Sequence, residues 1–150
     1  MASQIFSVVN LLAMVGWVLL AVFPHRRWPA ERVSGWVIPG LLSAVYVAIV
    51  ALVWGRTPGG FSSLAAVSQL FDNEWMLLAG WVHYLAFDLF VGSWIVRDSR
   101  TRGIAHVWVL PSLLATFLFG PAGWLSYLGL RAALRRRLAP SSGDLVTLGS

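Results

Sequence analysis

The chain has 150 residues, 58% of them hydrophobic and 11% charged, with a mean hydropathy of +0.74. A soluble domain carries about 25% charged residues and could not hide this much apolar surface, so lipid is the solvent and one membrane domain is expected. All 11 basic residues are arginine, which excludes Schiff-base and lysine-nucleophile chemistry, and the absence of cysteine excludes disulfides, thiolate metal sites, iron–sulfur clusters and cysteine nucleophiles.

The first apolar run, about 4–23, has no positive stretch before it and is too long for the core of a cleaved leader, so it reads as a retained span. It stops at Pro24 and the arginine-bearing segment PHRRWPAER. A second run, about 35–54, carries Pro39 in its first turns, where a missing N–H costs little. Between spans two and three, TPGG at 57–60 is a turn, and 61–71 has the apolar spacing of a short interfacial amphipathic helix. The third run, about 75–96, ends at Arg97 and Asp98. The fourth, about 107–130, runs into LRAALRRRLAP, and a polar tail at 139–150 is expected to be disordered.

Each run is long enough for a hydrocarbon core of about 30 Å. The expected fold is therefore all-α: a four-transmembrane-helix bundle over 1–138, with the amphipathic segment between helices 2 and 3. Four spans put both termini on one side. They also leave the arginines nearly balanced, six in the loops at 24–34 and 97–106 against five at Arg56, Arg131 and 135–137, so the positive-inside rule decides little. The sequence pI of about 11.1 reflects arginines at span ends, where they meet lipid headgroups, and no nucleic-acid partner is expected. Trp28, Trp36, Trp54, Trp75, Trp94 and Trp108 fall near span ends, as an interfacial belt requires. Trp17, Trp81 and Trp124 lie deeper and are better placed to line a pocket.

The third run, WVHYLAFDLFVGSWIVRD at 81–98, places His83 and Asp88 at hydrocarbon depth. A carboxylate there costs about 2.5–3.5 kcal/mol on insertion scales, so it calls for a partner or a task. Five residues apart, His83 and Asp88 project about 140° from one another on a regular helix and cannot share one metal. Asp98 and His106 flank the loop to the fourth run. In FGPAGWLSY, Pro121 cannot donate to the Phe117 carbonyl, and Gly120 and Gly123 admit a second backbone or a flat ligand. The expectation is a bend whose freed carbonyls face protein or a cavity.

The stretch WVHYLAFDLF with the following aspartate, GIAH and FGPAG resembles the membrane family named for an abscisic-acid-deficient plant mutant, whose plant members are tied to forming neoxanthin from violaxanthin. The residues that carry the resemblance are Trp81, His83, Asp88-Leu89-Phe90, Asp98, His106 and Pro121-Ala122-Gly123, within about 75–125. The resemblance implies acid–base isomerisation of an epoxycarotenoid or related xanthophyll to an allene, a redox-neutral reaction that requires no cofactor. Asp88 is then the acid, and His83, Asp98 or His106 the base. The polyene would lie beside Trp81, Phe87, Phe90, Phe117 and Phe119, near the Pro121 turn.

Two readings compete with the enzyme. One is a pigment-binding subunit: Ala79 lies four residues before His83, a spacing that lets a carotenoid or a bacteriochlorophyll macrocycle approach. The other is a scaffold subunit that packs other membrane subunits through its glycine and tryptophan faces. A metal held by His83, Asp88, Asp98 and His106 is left open. The design is that of a prokaryotic inner-membrane protein, with lipids and a carotenoid-like substrate or pigment as its expected partners.

Overall fold

The structure, a computed structural model, describes the backbone of residues 1–24 and 28–138 and the side chains of 1–24 and 32–134. The tail at 139–150 lies outside the described residues. The elements are α1 (Ala2–Val22), a π-helical segment (Trp28–Val37) that runs into α2 (Ile38–Val53), α3 (Leu64–Phe71), α4 (Glu74–Thr101), α5 (His106–Phe119) and α6 (Pro121–Leu138). Every described element is helical. Three helices are long and apolar enough to cross a membrane: Ala2–Val22, Arg32–Val53 and Glu74–Thr101.

The long helix α4 is the axis of the fold. Asn73 starts it, its Oδ1 accepting from the backbone N–H of Trp75 at 3.0 Å and of Met76 at 3.2 Å, which satisfies donors that no helical carbonyl can reach. Helix α1 lies parallel to α4: Trp81 donates to Asn10 at 3.1 Å at one level, and Trp17 packs on Gly92 at a deeper one. Helix α2 runs the other way, with Tyr46 beside His83 and Trp36 beside Phe90. The helices approach closely where a side chain is missing. A Cβ on Gly92 would sit 2.7 Å from the Trp17 ring, and one on Gly16 would sit 2.5 Å from Leu89. Small residues at such crossings suit helices whose association rests on packing, since lipid tails are as apolar as leucine. Helix α3 is the expected amphipathic segment, started by Ser63, whose hydroxyl accepts from the Ala66 N–H at 3.1 Å.

The fourth run departs from expectation. Residues 107–130 do not form one span: the helix ends at Phe119, the chain reverses at Gly120, and α6 runs back along α5. Ser126 and Ser112, 14 positions apart, share a hydrogen bond of 2.9 Å, whereas a continuous helix would separate them by about 21 Å. Gly120 makes the reversal with φ 48° and ψ −101°, a conformation that glycine tolerates without a Cβ penalty. Pro121 then opens α6, where its missing N–H costs nothing. Gly123 lets the two arms meet, because a Cβ there would run into the Thr116 backbone. The expected bend is thus a complete turn.

With 14 residues, α5 rises about 21 Å, short of a core of about 30 Å. The hairpin enters beside the C-terminal end of α4, reaches the level of Asp88, and returns. Tyr127 and Arg131 of α6 bond Asp98 near that same end of α4. The described chain therefore has its N-terminus at one end of the bundle and the C-terminal part of α6 at the other. This corrects the expectation that both termini share a side.

Candidate functional site

The hairpin tip closes over Asp88. Asp88 is 9% exposed, and its Oδ2 is a buried oxygen with no hydrogen-bond partner among the described residues. A Cβ on Gly120 would lie 2.9 Å from Oδ1 and 3.1 Å from Oδ2. The tip backbone thus seals the carboxylate from the C-terminal side, as irregular backbone at membrane depth must be sealed by protein. One turn before Asp88, Tyr84 interacts with it and donates to the Phe117 carbonyl at 3.1 Å, bridging α4 to the last turn of α5.

Tyr84 also faces outward. It stands at the foot of a groove of about 860 Å³ that includes Ala2, Phe6, Phe71, Leu77, Trp81 and Leu118 in its walls. Ser3 and Glu74 are the polar side chains at its other end. The floor is low because a Cβ on Gly80 would sit 2.7 Å from the Phe71 ring. Phe6 and Tyr84 flank Trp81 at centroid distances of 5.8 and 5.5 Å, which gives the groove an aromatic wall. Because the hairpin reaches only partway along the bundle, the space beneath its tip is left open, and this groove occupies it.

The other expected site residues are not gathered here. His83 lies on the far side of α4, exposed, stacked on Phe87 at 4.6 Å and tilted against Tyr46 at 5.4 Å. The angular separation read from the sequence is realised. Asp98 is about 15 Å further along α4 than Asp88. Its Oδ2 accepts from Arg102 Nε at 2.7 Å, Tyr127 OH at 2.7 Å and Arg131 Nη1 at 3.5 Å. That hydrogen bond raises the pKa of the Arg102 guanidinium. His106 meets the Ala21 carbonyl at 3.0 Å and ties the start of α5 to the end of α1. Among the described residues, no three His, Asp or Glu side chains could hold one metal ion.

Of the residues expected along a polyene, Trp81 lines the groove. Phe117 packs on Trp17 at 5.5 Å and lines a second groove of about 570 Å³ between α1 and α5. Phe87 and Phe90 lie on the α2 side, Phe90 against Trp36. Phe119, 67% exposed, faces outward beside the Gly120 turn, and Pro121 follows the turn.

Two residues that sequence reasoning passed over are central. Tyr84 was detectable as a phenol one helical turn before a buried carboxylate. Tyr127, fully buried, was not detectable, because its partner Asp98 is reached only through the chain reversal.

Asp98 joins α4 to the returning arm, so its removal is a stability test. Asp98→Ala strands the buried Tyr127 hydroxyl and frees two guanidinium groups. Breaking a buried charged pair costs about 3–5 kcal/mol; partial exposure here puts the loss toward or below the lower figure. A clear drop in melting temperature is expected, with Asp98→Asn intermediate because an amide oxygen still accepts from Tyr127. An unchanged melting temperature in Asp98→Ala would mean that the latch does not hold the hairpin.

These features define a small polytopic membrane protein with a buried carboxylate at the tip of a helical hairpin and an apolar groove leading toward it. The family model described as ABA4-like, ABA DEFICIENT 4-like, matches residues 4–127, and the chain belongs to that family. The match runs from α1 through both arms of the hairpin to Tyr127. No curated protein and no solved structure matched the chain.

Proposed function

We propose that the protein isomerises an epoxycarotenoid-like polyene, with Asp88 and Tyr84 as the proton-handling pair. The observation that carries this reading is the buried Oδ2 of Asp88, which has no hydrogen-bond partner among the described residues, beside a tyrosine that lines an apolar groove. At hydrocarbon depth a carboxyl group without a task is costly. Membership of the family supports the substrate class.

The chemistry closes on one carboxyl group. The proton of Asp88, relayed by the Tyr84 hydroxyl, passes to the epoxide oxygen as the C–O bond breaks, and the polyene delocalises the resulting cation. A proton then leaves the adjacent polyene carbon and returns to the Asp88 carboxylate through the same Tyr84 hydroxyl, which faces the groove, and that C–H electron pair becomes the second double bond of the allene. The epoxide oxygen ends as a hydroxyl, the product is an isomer, and Asp88 is protonated again. Nothing is oxidised or reduced. In this scheme His83 and His106 stand outside the proton path, and Asp98 positions the hairpin.

Tyr84→Phe tests the relay. The variant keeps the aromatic wall and loses one hydroxyl, and removal of a proton-transfer group lowers turnover by about 10²-fold or more. Turnover of violaxanthin in proteoliposomes is the measurement. Wild-type turnover in Tyr84→Phe excludes the relay.

A further inference from the structure

The hairpin changes the distribution of charge across the bundle. Arg32, Arg97, Arg100, Arg102 and Arg131 lie at the end where α4 finishes, and α6 carries the arginine run at 135–137 further along the same side. At the opposite end, with Met1 and the loop between α2 and α3, the described arginine is Arg56. Treating 107–130 as a span divides these charges nearly evenly; turning it back collects them at one end. Such an asymmetry sets orientation, with the arginine-rich end on the cytoplasmic side.

The groove carrying Tyr84 belongs to the other end. Its lining starts at Ala2, Ser3 and Glu74 and descends to Tyr84 and Leu118, where the hairpin tip blocks it. The depth from Glu74 to Tyr84 is about 15 Å along α4, roughly half a hydrocarbon core. The second groove, along Met14, Trp17, Val107 and Leu114, occupies the arginine-rich half. Each groove therefore faces one leaflet, and Tyr84 serves the one away from the arginines.

From this juxtaposition of a half-depth groove, a blocking hairpin tip and one-sided arginines, we propose that the protein loads its ligand sideways from the extracytoplasmic leaflet. The ligand is a polyene with an oxygenated end ring. That ring enters first and stops at Tyr84, while the rest of the chain lies in the same leaflet against Phe6, Phe71 and Trp81. Helix α3 forms the rim, with Phe71 seated on Gly80. The proposal rests on the isomerase reading for its ligand, and its sidedness rests on the fold alone.

The absence of cysteine makes single-cysteine labelling clean. In intact cells a membrane-impermeant maleimide is expected to label Ser62→Cys, in the exposed loop before α3, and to label Thr101→Cys only after lysis. Labelling of Thr101→Cys in intact cells, or of both, overturns the orientation. In proteoliposomes, Leu77→Trp fills the Tyr84 groove and Leu114→Trp fills the other. Leu77→Trp is expected to reduce retained violaxanthin by roughly tenfold or more, the scale of losing a few well-packed apolar contacts, with Leu114→Trp at the wild-type level. Loss confined to Leu114→Trp, or equal in both, overturns the assignment of the groove. Retained pigment is read without turnover, so a protein that binds violaxanthin in this pattern and does not convert it refutes the isomerase and leaves the leaflet assignment standing.

Discussion

Asp88→Asn is expected to lower turnover of an epoxycarotenoid by roughly 10² or more while the protein stays folded and inserted. The amide has the shape of the carboxyl group and can still hydrogen-bond Tyr84, yet it has no proton to give to the epoxide oxygen. The amide is neutral at every pH, so it adds no charge at hydrocarbon depth and yield should hold or improve. Asp88 Oδ2 has no hydrogen-bond partner among the described residues, so its replacement by an amide nitrogen removes no bond made by that atom. A purely structural aspartate predicts the opposite order, with turnover kept and melting temperature lowered. Measuring turnover and thermal stability on the same preparation separates the two. Wild-type turnover in Asp88→Asn removes the proposed acid.

The second large effect concerns the hairpin. Gly123→Val places a branched side chain where even a Cβ would run into the backbone of Thr116. Overpacking a core costs about 1–3 kcal/mol when side chains can shift; here the obstacle is main chain, and the expected cost lies at or above the top of that range. The two arms should separate and the bond between Ser112 and Ser126 should be lost. A disulfide between Ser112→Cys and Ser126→Cys should form readily in the parent and poorly alongside Gly123→Val. No cross-linking in the parent contradicts the reversal at Gly120, and equal cross-linking in both contradicts the close approach of the two arms at Gly123.

The spans, their ends and the depth of Asp88 could be read from the sequence because length, hydropathy and cap residues are local properties. The opposite facing of His83 and Asp88 followed from helix geometry alone. The hairpin escaped because hydropathy does not distinguish one helix that crosses a membrane from two that enter and return; 107–130 is apolar enough for either. The available clue was the row of small residues Ser112, Thr116, Gly120, Gly123 and Ser126, spaced so that two helical arms can touch. Gly120-Pro121 was recognised as a break, but a bend and a reversal differ only in which backbone conformation the glycine adopts. The topology follows from that choice: one span over 107–130 puts the arginines of α6 at the Arg56 end, whereas the reversal puts Arg131 beside Asp98 at the other. The resemblance places Asp98 and His106 in one site with Asp88; in the fold they anchor the base of the hairpin to α4 and α1.

In the proposed reaction, a buried carboxyl group on α4 beneath the hairpin tip isomerises an oxygenated polyene. The most direct measurement is the product formed from violaxanthin by the purified protein in proteoliposomes, followed by absorption, mass and vibrational spectra. An isomerase acting through Asp88 yields a product of unchanged mass with the stretching band of an allene, formed by the wild-type chain and strongly reduced in Asp88→Asn. Unchanged violaxanthin, or equal product from both proteins, would contradict it.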